Sequence, residues 1–221
     1  MKTNSVKITV DGSTYDSLTD FKLAIENTDC IGTPVRSSAN MIEVPGRDGL
    51  LDMTDTVFGG EYFTSREIKI NFGGLRNSED WDSVISNFRN LFEGKTVKVE
   101  FATMPGWYFT GRCTIEDFGH VRALGTFVFT LPDADPYMYK DISIDIPSDP
   151  SGVDVDLAVT RKTIIPTFIV ITKAYVRFND TTYEIEAGTH QVSEIRLTAG
   201  THTLKVASTA MVTISYRDGS L

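Results

Sequence analysis

Apolar and polar residues alternate with a period of two along most of the chain, the spacing of a strand with one dry face and one wet face. "VKITV" sets Val6, Ile8 and Val10 on one side and ends at Asp11-Gly12, a hairpin-forming pair. "DFKLAIE" repeats the pattern with Phe21, Leu23 and Ile25, and "REIKINF" with Ile68, Ile70 and Phe72. "TVKVEF" follows with Val97, Val99 and Phe101, then "TFVFTL" with Phe127, Phe129 and Leu131. In "WYFTGRCTIEDF" the odd positions Trp107, Phe109, Cys113 and Ile115 share the apolar face, leaving Tyr108, Thr110, Arg112, Thr114 and Glu116 outward. These segments predict antiparallel sheets with one face in water.

One segment has a different period. In "NSEDWDSVISNFRNLFEGK", Trp81, Val84, Ile85, Phe88, Leu91 and Phe92 recur at helical spacing. Asn77 or Ser78 offers an N-cap, Glu79 and Asp80 suit the positive end, and Gly94 stops the run. The pattern predicts one amphipathic helix over about 78–93, its aromatic stripe packed in a core.

A boundary is expected near residue 140. "LPDADPYMYKDISIDIPSDPSG" is rich in proline and aspartate and reads as a crossing between two β units. Beyond it come "TFIVIT", "YVRF", "TYEIE", "SEIRL", "THTLKV" and "MVTISY", broken at Asn179-Asp180, Ala187-Gly188, Ala199-Gly200 and Ser208-Thr209. Short strands about ten residues apart with no helix signal predict a small sandwich. The fold class is therefore mainly β, with a first domain over 1–140 and a second over 141–221. A second "RDG", in the final "YRDGSL", reads as a strand ending in a turn.

Composition narrows the function classes. The 221 residues include 41% hydrophobic and 23% charged residues, the balance of a folded protein. The net charge of −9 is spread over both halves, −6 up to residue 140 and −3 after it. With no Lys/Arg cluster, the chain is not expected to grip nucleic acid. The N-terminus lacks the apolar block of a secretory signal, and the longest apolar run, "IIPTFIVI", is broken by Pro166. Synthesis in a cytoplasm and no membrane association are the expectations. Cys30 and Cys113 lack disulfide-scaffold or metal spacing and read as reduced residues of the interior.

Catalytic signatures do not emerge. His120, His190 and His202 lie far apart without metal-ligand spacing, and His202 alternates with Leu204 and Val206 as a packed or rim residue would. Asp149, Asp154 and Asp156 could attract calcium, but the glycine and terminal glutamate of an EF-hand loop are missing. No nucleophile elbow, phosphate loop or zinc-binding helix motif is present. A carboxylate pair of the glycosidase kind has no groove-marking motif beside it. No enzyme, metal or cofactor is expected.

The most distinctive stretch is "NMIEVPGRDGLLDMTD", where Pro-Gly-Arg-Asp-Gly sits between two apolar runs. The order "IEVPGRDGLLDMTD", "SREIKINF", amphipathic helix, "TVKVEF", "GWYFTGRC" resembles the N-terminal domain of the distal tail proteins of long-tailed bacteriophages. "DADPYMY" resembles that family's exit from its first domain, and "MVTISYRDGSL" the close of its second, galectin-like sandwich. The resemblance covers nearly the whole chain.

The resemblance implies a hexameric ring at the tip of the tail tube, non-enzymatic, with DNA crossing the lumen. Its implied partners are other copies of itself, the tube protein above and a tail-associated hub or lysin protein below. The second domain would hold receptor-binding or baseplate proteins. The location implied is the virion tail tip. The inserted sugar-binding module of larger members is absent from the roughly 80 residues after the boundary. Within that frame Pro45 and Gly46 set a turn, Gly49 supplies a positive φ, and Arg47 and Asp48 contact a neighbouring subunit. The alternative is a solvated hairpin tip touching nothing. A rival for the whole chain is a monomeric carbohydrate-binding sandwich using Tyr175 and Tyr183 as its platform; a hydrolase is a third reading.

Overall fold

The computed structural model describes residues 4–27, 29–35, 41–46, 48–53, 63–75, 78–121 and 124–221. The chain is mostly β and divides into two compact units, Met1–Met138 and Tyr139–Leu221. Every pairing whose register is described is antiparallel.

In the first unit β1 (Val6–Val10) turns at Asp11-Gly12 into β2 (Ser13–Asp16). Both turn residues have positive φ, 49° and 81°, as the tight hairpin predicted from Asp-Gly requires. β3 (Ala24–Ile25), β6 (Arg66–Leu75), β9 (Thr114–Val121) and β10 (Leu124–Ala134) form a sheet in the order β3-β6-β10-β9. β1 and β2 join β7 (Thr96–Phe101) and β8 (Phe109–Arg112) in the order β2-β1-β7-β8. The two sheets are stitched at both sides. Ile25 N–H donates to the Asn4 carbonyl at 3.1 Å, and Asp135 N–H to that of Thr110 at 2.9 Å.

The helix α1 spans Ser78–Phe92. Trp81, Phe88 and Phe92 are wholly buried, with Ile85 nearly so, and Val84 and Leu91 are half-buried, so the predicted stripe faces the core. Gly94, at φ 70°, ends the run. Helix and sheet meet at a notch. Gly125 and Gly74 lie opposite each other across β10 and β6, and the Trp81 indole rests on them. A Cβ at Gly125 would sit 2.3 Å from the ring. In the same core Phe72, Phe88, Phe92, Phe127 and Phe129 contact one another at centroid distances of 4.6–6.4 Å. Fully burying each such ring stabilises by roughly 1.5–3 kcal/mol.

In the second unit β11 (Met138–Ile146), β13 (Thr167–Val170), β16 (Gly188–Gln191) and β18 (Val212–Ser220) form a sheet ordered β11-β18-β13-β16. β12 (Asp149–Val159), β14 (Ala174–Phe178), β15 (Thr181–Ile185) and β17 (Gly200–Ser208) form the other, ordered β12-β17-β14-β15. Its core is aliphatic, with Leu157, Val176, Ile195, Leu197, Leu204, Val206 and Ile214 buried around Phe168. Asn179 and Asp180, at φ 47° and 63°, make the two-residue β14–β15 turn.

Four expectations change. "DFKLAIE" keeps only β3 as strand. Asp16 takes the N–H groups of Leu18 and Thr19, Asp20 takes that of Asp16, and Lys22 adopts φ 54°, so these carboxylates build a turn. Tyr108, expected to face outward, is only 7% exposed, and the Lys98 ammonium sits 4.3 Å from its ring centroid. The proline- and aspartate-rich stretch does contain the division between the units, but it is largely strand: it supplies the end of β10, all of β11 and the first four residues of β12, and Pro150 sits on β12, an edge strand where proline is tolerated. The final "RDG" is no turn. β18 runs through it, and Asp218, 4% exposed, accepts hydrogen bonds from Thr160 N–H at 2.8 Å and Thr160 Oγ1 at 2.5 Å.

Candidate assembly site

The quoted loop folds as a hairpin. β4 (Met41–Glu43) pairs with β5 (Leu50–Asp52) in the register Met41↔Asp52, Ile42↔Leu51, Glu43↔Leu50. Among the described residues these two strands form a sheet of their own, joined to no other strand. Its tip is Val44 to Gly49, with Pro45, Gly46, Asp48 and Gly49 exposed and Ile42 49% exposed. Gly46 and Gly49 take φ 81° and 78°, values that require glycine, and a Cβ at either would meet no atom within 4 Å. Four of the five residues expected here are thus brought together on an open tip. Arg47 lies outside the described residues.

A two-stranded hairpin alone is marginally stable in water. Among the described residues this one joins no other strand and leaves Ile42 exposed.

Burial pushes the Cys113 thiol up to about 11, reinforced by Glu93. Its side chain is fully buried and bonds the Phe92 carbonyl, which leaves it protonated and unreactive at neutral pH. Cys30, also a free thiol, is raised by burial and then by Asp29. Arg66 is the residue that sequence reading missed. It occupies an inward position of β6, 4% exposed, with Nε and Nη2 making no hydrogen bond. Burial lowers its pKa while Asp135 opposes that shift, and its guanidinium lies 5.3 Å from the Phe109 centroid. Only the period-two position of Arg66 ahead of Ile68 and Ile70 hinted at it.

The histidines act as rim residues: His202 Nε2 lies 2.8 Å from the Thr198 carbonyl oxygen and His190 Nε2 3.3 Å from that of Ala187. The His120 side chain is outside the described residues. Asp149 is engaged by Ser151, which holds its pKa low, and Asp156 accepts from Thr203 Oγ1 at 2.6 Å. The platform of the carbohydrate rival is weak. Tyr175 is 43% exposed under Lys173, but Tyr183 packs against the core of its own unit. Tyr175 shares the surface of that unit with exposed Ile169, Ile171 and Met211. No described helix is long and apolar enough to cross a membrane.

No known protein-family pattern matches the chain, and no curated protein matches it by sequence. A solved structure does match: the SPP1 Dit (gp 19.1) protein, described as a paradigm of the hub adsorption apparatus in phages infecting Gram-positive hosts. The likeness covers 96% of this chain and 98% of that one at 15% identity, with a TM-score of 0.62. The chain therefore has the fold of SPP1 Dit over nearly its whole length.

Proposed function

We propose that this protein is a structural component of a phage tail tip that works by assembling into a closed ring, with six copies as the expected number. The fold shared with SPP1 Dit along nearly the whole chain carries this reading. A ring needs head-to-tail contacts, an element on one side of each copy meeting a different surface of the next. The β4–β5 hairpin is the element suited to it, with Pro45, Gly46 and Gly49 setting the tip and Arg47 and Asp48 bonding the neighbour. The ring would join the tube protein to a hub or lysin protein, and the second unit, a galectin-like sandwich, would dock receptor-binding or baseplate proteins. A lumen that passes DNA must not adsorb it, and the net charge of −9 suits that task.

The test is light scattering with negative-stain imaging of the purified chain. A particle of six times the 24.5 kDa chain mass, seen as a ring, is expected. A lone 24.5 kDa particle at high concentration, together with its absence from tail fractions, overturns the reading.

A further inference from the structure

The first unit holds a cleft of about 490 Å³ beside the C-terminal half of α1, lined by Tyr15, Asp20, Phe21, Asn87, Asn90 and Leu91. It is a wide, open depression that would leave one side of a ligand in water. Asn87 and Asn90 are exposed and one turn apart on the helix, with Leu91 half-buried beside them. Opposite them the β2 end and the following turn supply Tyr15, Asp20 and Phe21. The two rings have centroids 6.0 Å apart and planes tilted by 46°. Both are half-buried, and both lean on Phe92 from the core side, at 5.6 and 6.0 Å. Asp20 is fixed in place because its Oδ2 accepts the Asp16 N–H at 2.8 Å.

We propose that this cleft is a saccharide site, seating the C–H face of a neutral pyranose on Tyr15 and Phe21 and its hydroxyls on Asn87, Asn90 and Asp20. Two carboxamides and a carboxylate supply both donors and acceptors at short spacing, the inventory that vicinal hydroxyls need. The aromatic rings supply apolar area that is already held in place, so little ordering cost remains on binding. Among the described residues no lysine or arginine lines the cleft, which favours a neutral ligand over an anion such as phosphate. The helix and the turn that carry these groups are anchored by Phe88 and Phe92, both fully buried. The proposal does not depend on ring assembly.

Titration calorimetry of the full chain with maltotriose, cellotriose and chitotriose, and inorganic phosphate as control, tests it. Saturable binding of at least one trisaccharide and none of phosphate is expected. The Asn87→Ala/Asn90→Ala variant, altered only at exposed positions, keeps its melting temperature and binds about tenfold more weakly. Silence with all three sugars overturns the proposal, as does binding that the double variant leaves unchanged. If the sugars are silent and the variant instead changes particle mass, the cleft is a protein contact and the proposal also falls. Sugar binding by a chain that never forms rings would keep this site and remove the assembly reading.

Discussion

The two units solve the same problem, a β core, with different materials. Among the described residues the first packs seven large aromatic side chains with under 2% exposure (Trp81, Phe72, Phe88, Phe92, Phe109, Phe127 and Phe129) and adds a helix. The second relies on Ile, Val and Leu between two four-stranded sheets, with Phe168 as its one aromatic side chain of that class. An aromatic core is a set of interlocked plates in which each removal leaves a large void. An aliphatic one has smaller pieces and is ordered more by its strand registers. Both tryptophans, Trp81 and Trp107, belong to the first unit, so indole fluorescence reports on it alone.

The largest expected effect tests the plates. Phe88→Ala removes a ring that touches Phe21, Phe72, Phe92, Phe127 and Phe129. It should cost about 3–5 kcal/mol, seen as an earlier fluorescence transition in urea, while far-ultraviolet dichroism keeps a later transition from the second unit. A single shifted transition by both probes would dissolve the contrast between units. The mirror experiment, Leu204→Ala, should cost about 2–4 kcal/mol in dichroism and leave the fluorescence midpoint in place.

Alkali sharpens the contrast through Cys113. Its folded pKa is raised, so no stability is lost while the thiol stays protonated in both states. As pH climbs from about 8.5, where the unfolded thiol ionises, towards about 11, the unfolded state gains by releasing its proton. The first unit should lose about 3 kcal/mol over that window, and Cys113→Ala should flatten the slope in fluorescence-detected urea titrations. A slope unchanged by the substitution would exclude the thiol as its source. A smaller effect concerns Asp218. Asp218→Asn weakens the bonds from Thr160 and should lower the second unit's stability by about 1–3 kcal/mol, with the tryptophan signal again unmoved.

The smallest change in stability should come from the hairpin. Arg47→Ala and Asp48→Ala are expected to leave both melting transitions within about 0.5 kcal/mol, while abolishing in negative stain the rings proposed above. Rings that persist would remove the contact role from these two residues.

The parts of this fold that could be read from sequence are those where one residue decides one outcome. Ile68, Ile70 and Phe72 declare a strand face, Trp81 to Phe92 a helix face, and Asp11-Gly12 a turn, each by local spacing alone. The misreadings arose where a distant partner decides. Asp218 looks like a turn residue until Thr160 is placed beside it, and Tyr108 looks exposed although the fold buries it and sets Lys98 against its ring. Asp149 and Pro150 look like a linker because nothing local reveals the neighbouring β17 strand. The hairpin tip was legible because its glycines satisfy a backbone demand. The cleft under Asn87 and Asn90 was not, since it exists only when the turn at Asp16 to Asp20 faces the helix.

The bare patch formed by Gly74 and Gly125 makes the seat of the helix depend on two missing side chains. The indole can sit flat on the sheet only where both facing positions are bare, and a methyl group at Gly125 would meet the ring at 2.3 Å. The helix is thus seated by what those two positions lack.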